Sequence, residues 1–497
     1  MAESLRGRRI LVLGATGFVG SRLIPVLLSR GASVRAAGRS MERLKHHPWS
    51  TSPGVECVSA DVLDPASLRE ACRGVNAVYY LVHSMNPGVS NFASTDRRAA
   101  ETMAEIARDS DVRRIIYLGG LGEEEQKLSA HLKSRHEVAD ILAGSGVPVT
   151  TLRAAMIIGS GSASFEILRY LVERLPAMIT PRWVRTRNQP IAVTDVVHYL
   201  AGVLFHEDSR NQTYDIGGPE ILTYHDLMKM YARITGLWRR LIIPVPVLTP
   251  RLSSYWIHLV TPIHASLARP LAEGLSHEVI CRDHTILSLI PRTLLTPEEA
   301  IRRSVHPCIE NKSPGEDGVL EQPVPGDPSW SGGPRLEDVR RKIVRTDLQH
   351  AWHPIGSIGG ARGYYFANWL WRLRGWMDKM VGGPGFQPSG PSDELRREGD
   401  SVDFWTIRIW NPPRQLLLEA DMKLPGSATL EFTLGPGEAG HVEITQRATF
   451  IPRGLGGLLY WYLIYPFHAV VFRGMIRAIA RRAVKKENGQ SRKEGNQ

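Results

Sequence analysis

Ile10-Leu-Val-Leu-Gly-Ala-Thr-Gly-Phe-Val-Gly20 decides how the chain is read. The apolar run Ile10 to Leu13 is short, uninterrupted and bounded by glycine, the pattern of a strand buried on both faces. Glycines follow as Gly14-x-x-Gly17-x-x-Gly20, and then an apolar helical pattern of Leu23, Ile24, Leu27 and Leu28, closed by Gly31. Strand, glycine turn and helix together point to a dinucleotide. Gly14 permits the tight turn, Gly17 lets the backbone approach a pyrophosphate, and Gly20 lets helix and strand pack closely. The expected contacts run through Gly14, Ala15, Thr16, Gly17, Phe18, Val19 and Gly20, with N–H groups at the helix start facing phosphate.

Working outward, Ser33 to Ala37 reads as a second strand ending in Gly38-Arg39-Ser40. An acid at this place would bond ribose hydroxyls. Arg39 instead offers a planar donor fork suited to a phosphate, and Ser40 adds a hydroxyl, so NADP(H) is expected over NAD(H). Val55 to Ala60 reads as the third strand, with Asp61 and Val62 placed to meet the adenine. Asp64-Pro65 starts a helix. Ala77 to Val82 is a fourth strand with His83 and Ser84 at its end, and a helix from Phe92 to Arg108 leads to a fifth strand at Arg114–Leu118. Strands alternating with helices make a doubly wound parallel sheet.

These motifs, with Ser59-Ala-Asp61-Val62 and Tyr117-Leu-Gly-Gly120, resemble the atypical short-chain dehydrogenase/reductase superfamily, and its NmrA-like NAD(P)H-binding branch in particular. The resemblance covers about Arg8 to Ser304. It implies a Rossmann-type fold and a nicotinamide cofactor. Typical members carry a Ser after the fifth strand and a Tyr-x-x-x-Lys pair on the next helix. Here Gly119-Gly120 stand in place of the Ser, and His131 and Arg135 occupy the Tyr and Lys places. Proton transfer by His131 near neutral pH and ribose binding by Arg135 are the catalytic expectation; a solvated helix face is the competing one. Asp195 is expected to cap a helix.

The remaining chain changes character twice. Leu241 to Leu275 is apolar and broken by five prolines, which argues against a single long helix and for helices over a substrate pocket, or for a lid that admits an apolar molecule or touches membrane. The stretch 305–334 carries repeated Pro, Gly and acids and is expected to be a linker. From 335 to 486 alternating strands precede one long helix. Met422-Lys-Leu-Pro-Gly426, Gln446-Arg-Ala-Thr-Phe450, Pro452-Arg-Gly454 and Tyr460 to His468 resemble an uncharacterised START-like, polyketide cyclase-like domain, an α+β helix-grip fold. That resemblance implies an apolar cavity between sheet and helix. Residues 487–497 are expected to form a disordered tail, so the organisation read here is 1–304, 305–334, 335–486 and 487–497.

The chain has 497 residues and a net charge of +11, part of it in arginines and lysines from Arg473 to Lys486. Cys57, Cys72, Cys281 and Cys308 show no metal or disulfide spacing, which fits a reducing cytoplasm. The basic run 180–188 has one aromatic residue and reads as a surface loop, so no nucleic-acid partner is expected. Leu458 to Phe472 is the most apolar run, short for a span, and is read as a domain helix or as a peripheral membrane contact. The expected function is an NAD(P)H-dependent oxidoreductase acting on an apolar, isoprenoid- or quinone-like small molecule. The alternatives are an NADP(H)-binding redox sensor without turnover and an assembly or lipid-handling protein.

Overall fold

The structure, a computed structural model, describes residues 7–83, 92–122, 129–245, 250–305, 321–380, 382–385, 396–438 and 440–494. The chain divides into two compact units, Met1–Gly333 and Pro334–Gln497.

The first unit is built on seven strands: β1 (Arg9–Leu13), β2 (Ser33–Gly38), β3 (Val55–Ser59), β4 (Ala77–Tyr80), β5 (Ile115–Gly120), β6 (Val149–Ala154) and β7 (Gln212–Ile216). Their order is β7-β6-β5-β4-β1-β2-β3, and every pairing is parallel. The direction of winding reverses between β1 and β4, so a crevice opens beyond their C-terminal ends.

Alternate side chains of β1 feed two separate cores, as a strand buried on both faces must. Ile10 and Val12 join Leu23, Ile24 and Leu27 of helix α1 (Gly20–Ser29). Leu11 and Leu13 face the other layer, formed by α2 (Pro65–Cys72), α3 (Phe92–Arg108) and α4 (Ala130–Ala143). Helix α5 (Ala163–Arg174) belongs to a smaller lobe, and α6 (Val193–Val203) returns to the α1 side of the sheet. Asp195 lies in the first turn of α6, buried. It accepts 2.6 Å from Arg292 Nε and 3.0 Å from the Leu295 N–H, so it anchors the segment 292–295 rather than capping a helix.

The proline-broken stretch forms a strand, Leu241–Val245, paired in parallel with Ala177–Pro181, then α7 (Pro250–Val260) and α8 (Ala265–Gly274). The expected linker is corrected in part. Residues 321–333 pack into the first unit: the Glu321 carbonyl accepts from Ser160 N–H, and Asp327 forms a buried ion pair with Arg22 of α1 at 2.8 Å. Polar and glycine-rich composition concealed this, because the segment is fixed by ion pairs and backbone bonds instead of apolar burial. Residues 306–320, with Cys308, lie outside the described residues, as does Ser84.

The second unit is an antiparallel sheet of β8 (Leu336–Arg345), β9 (Ser401–Val402), β10 (Trp405–Asn411), β11 (Gln415–Ala420), β12 (Gly426–Pro436) and β13 (His441–Pro452), in the order β8-β13-β12-β11-β10-β9. Helix α9 (Asn368–Met380) and the long α10 (Gly454–Glu494) accompany it. Phe404, Trp405, Phe432, Phe472 and Met475 fill the space between sheet and α10. The α10 backbone continues to Glu494, through residues expected to be a tail. Strand β8 escaped sequence analysis because it is an edge strand dense in charge, with Val339 and Ile343 exposed.

Candidate functional site

A groove of about 410 Å³ lies at the switch point. Its floor is the glycine loop. Gly14 has φ +86°, and a Cβ there would stand 2.8 Å from the Leu81 carbonyl oxygen. A Cβ on Gly20 would stand 2.3 Å from the Gly14 oxygen, so α1 can approach β1 only with glycine at this place. A Cβ on Gly17 would meet only that oxygen, at 3.1 Å, and Gly17 itself borders the groove. Val19 is the N-cap of α1 and provides no side-chain acceptor for the first-turn N–H groups. A bare concave backbone at an uncapped helix start fits a pyrophosphate.

The structure sorts the expected contacts. Gly14, Thr16, Gly17, Phe18, Val19, Gly20 and His83 line the groove. Ala15 does not: its methyl is fully buried in the core, and its N–H is taken by the Ala37 carbonyl at 3.2 Å. Asp61 closes a local turn, accepting from Leu63 N–H at 3.0 Å, while Val62 joins the core. Neither is among the groove-lining residues described. Ser40 caps the short helix Met41–Lys45, its Oγ accepting from Arg43 N–H at 3.3 Å. Arg39 is exposed just past the end of β2, and Arg43, inside that short helix, borders the groove. A basic residue in a short exposed helix carries no sequence signal of its own.

His131 and Arg135 come to the far wall of the same groove, beside His83, Gly119 and Gly120. A Cβ on Gly120 would stand 2.9 Å from Leu132 Cδ2, so a serine here would require the Leu132 side chain to turn aside. The expectation that His131 titrates near neutral pH is corrected. Burial, then the Arg135 guanidinium, then His83 push its pKa down to about 3. His83 is shifted the same way by burial and by Arg135, although it keeps an accessible edge in the groove. Burial and the neighbouring cation thus favour the neutral imidazole of His131, which has one N–H to donate and one ring nitrogen to accept. The Arg135 guanidinium lies 5.9 Å from the centroid of the Tyr117 ring, and its Nε is buried without a hydrogen-bond partner among the described residues.

A second cavity, about 690 Å³, shares Ser164, Tyr224, Leu271 and Leu275 with the groove. Ile167, Leu168, Met178, Trp183, Trp256 and Ile257 make up much of its otherwise apolar wall. Thr180, Pro181, Trp183 and Val184 of the run 180–188 thus line a pocket of the smaller lobe. Sequence reading did not single out Ser164 and Tyr224, the polar groups at the junction. The segment 321–333 also reaches the groove, through Pro328 and Trp330.

Behind this cavity Tyr231 donates to Glu173 Oε1, while Glu173 Oε2 is buried without a hydrogen-bond partner among the described residues. Burial raises the Glu173 pKa to about 6, despite the opposing pull of Arg169. A raised folded-state pKa favours the protonated form. The contribution is complete below the ordinary carboxyl range and is lost as pH rises through about 6. Glu173→Gln should therefore match the wild type in urea unfolding near pH 4.5 and exceed it above pH 7 by up to about 2 kcal/mol. A pH-independent difference would contradict the assignment.

Two family models match the chain: an NAD(P)H-binding family over residues 14–172, and a protein of unknown function, DUF2867, over residues 330–475. Among curated relatives, subunit 9 of the NADH dehydrogenase [ubiquinone] 1 alpha subcomplex from Arabidopsis thaliana is 24% identical over 251 residues, 49% of this chain and 62% of that protein. The (4-alkanoyl-5-oxo-2,5-dihydrofuran-3-yl)methyl phosphate reductase of Streptomyces griseus subsp. griseus is 28% identical over 235 residues, covering 46% and 74%. The solved triphenylmethane reductase of Citrobacter sp., complexed with NADP(H), aligns with a TM-score of 0.49 and 21% identity, over 60% of this chain and all of that one. The glycine cradle at the switch point and the matched family model agree that the first unit carries an NAD(P)H-binding domain.

Proposed function

We propose that the protein is an NADPH-dependent oxidoreductase whose substrate is apolar and isoprenoid- or quinone-like. The observation that carries this reading is the apolar cavity of about 690 Å³ that shares walls with the nucleotide groove. The cofactor supplies a hydride when bound. The loop from Gly14 to Gly20 would hold its pyrophosphate, and Arg39 with Arg43 the ribose phosphate. Arg135 and His83 would flank the nicotinamide end. Tyr224 and Ser164 would orient the polar end of the substrate, while apolar walls hold the rest and exclude water. Neutral His131 would donate a hydrogen bond to a substrate oxygen, and solvent would provide the proton. The second unit, read as a START-like helix-grip fold, would hold or present the apolar molecule. Its sheet and long helix support that reading, while aromatic side chains occupy the space between them.

The test is NADPH oxidation, followed at 340 nm, against a panel of quinones and isoprenoid enones. Turnover should appear with NADPH and fall sharply in Leu171→Trp, which narrows the second cavity. Arg39→Asp should weaken NADPH at least about tenfold and leave NADH nearly unchanged. Equal losses for both nucleotides would remove the phosphate assignment. Tight NADPH binding with no oxidation across the panel would favour a redox sensor, a reading consistent with the missing tyrosine and the neutral His131.

A further inference from the structure

The second unit exposes an apolar surface that its own core does not use. Helix α10 buries one stripe, including Trp461, Phe472, Met475, Ile479 and Ala483, against the sheet side. On another face Leu459, Leu463, Phe467 and Val470 are 63, 75, 64 and 62% exposed. The same helical spacing then continues as Arg473, Arg477 and Arg481. One face thus changes from apolar to cationic along its length.

Helix α9 enlarges the surface. Trp371 packs 6.1 Å from Phe472 and the Arg374 guanidinium lies 5.4 Å from the Tyr460 centroid, so α9 touches α10 at these two places. Trp369, Trp376 and Met380 are 67, 59 and 69% exposed. Where the apolar stretch ends, Arg473, Arg477, Arg481 and Arg482 line a cavity of about 470 Å³ with Tyr365 and Phe366. Gly454–Val484 contains no acid. The one acid of α9, Asp378, is 3% exposed and accepts from the N–H groups of Gly385 and Lys423.

We propose that this face docks onto an anionic lipid surface. Exposed Leu, Phe and Trp would enter the boundary between headgroups and acyl chains, and the arginine groove would take phosphates. By length and composition Gly454–Val484 could also cross a membrane, more than was expected from Leu458–Phe472 alone, because Met, Ile and Ala extend the apolar character past Phe472. Its other stripe is committed to the sheet, however, so the helix as folded offers one face, which suits lying in the interface. A second copy of the chain is a poorer occupant, since it brings no exposed acid on this face to meet the arginines. The inference does not depend on the oxidoreductase reading.

The test is co-sedimentation of the full chain with phosphatidylcholine vesicles, with and without phosphatidylglycerol. Binding should require the anionic lipid and decline with salt. Arg473→Gln/Arg477→Gln/Arg481→Gln should weaken it about fivefold per arginine. Leu463→Glu/Phe467→Glu should abolish it while leaving the circular dichroism spectrum unchanged. Trp376→Ser/Met380→Ser, on the neighbouring helix, gives an independent check and should also weaken binding. Failure to bind anionic vesicles overturns the proposal. So does binding of inorganic phosphate without vesicles, which marks a free-anion site, or a concentration-dependent dimer lost in Leu463→Glu/Phe467→Glu without vesicle binding.

Discussion

Gly17→Val should weaken NADPH binding by at least about 100-fold, a change of about 3 kcal/mol, with little loss of folding stability. Gly17 borders the groove, and a Cβ there meets only the Gly14 oxygen at 3.1 Å. The added methyls would stand where the pyrophosphate must approach the backbone. Gly20→Ala should behave in the opposite way. Its Cβ would lie 2.3 Å from the Gly14 oxygen and 3.1 Å from the Gly14 carbonyl carbon, and backbone has nowhere easy to go. Forced overpacking of this kind costs about 1–3 kcal/mol, so this variant should lose thermal stability along with binding. Calorimetric titration with NADPH and urea unfolding measure the two quantities separately. If Gly17→Val binds NADPH within a few-fold of the wild type, the nucleotide does not lie on this loop.

The sheet of the first unit was legible because its order follows from local pattern. Four apolar residues in β1 feed two cores, and β4 and β5 repeat the arrangement, so continuous apolar runs suffice to mark buried parallel strands. The glycine loop was legible for a different reason: Gly17 and Gly20 answer the closeness of the Gly14 carbonyl within the same loop, and Gly14 needs a positive φ, although the backbone that crowds it belongs to Leu81. What escaped depends on distant partners. Arg135 stands one turn along the same helix from His131, but the burial and the nearby His83 that also lower the His131 pKa come from the tertiary fold. Tyr224 reaches the groove from a helix that begins 81 residues after the end of α4, a juxtaposition only the tertiary fold creates.

The clamp between Arg22 and Asp327 is the strongest case of such a distant demand, and breaking it should have the largest effect on stability. Arg22 presents a fork to Asp327, Nη1 to Oδ1 at 3.1 Å and Nη2 to Oδ2 at 2.8 Å, across 305 residues of sequence. The same guanidinium donates to the carbonyls of Phe18, Ser160 and Gln322, and both side chains are almost completely buried. Removing one partner leaves a buried charge without compensation, which typically costs about 3–5 kcal/mol. Arg22→Ala should fall in that range by urea unfolding, because Asp327 then retains only the Val324 N–H, at 2.9 Å, among its described hydrogen-bond partners. Asp327→Ala should cost less, since three carbonyls still accept from Arg22. The double change Arg22→Met/Asp327→Leu should recover part of the loss: it removes the buried charge, while the carbonyls of Phe18, Ser160 and Gln322 still lose this donor. The consequence extends to the groove. Pro328 and Trp330 follow Asp327 directly and line it, and the Asp327 carboxylate lies 3.2 Å from where a Cβ on Gly161 would stand. Asp327→Ala should therefore weaken NADPH binding even where the protein remains folded. If instead it unfolds at the wild-type urea midpoint and binds NADPH unchanged, residues 321–333 connect the two units without shaping the site.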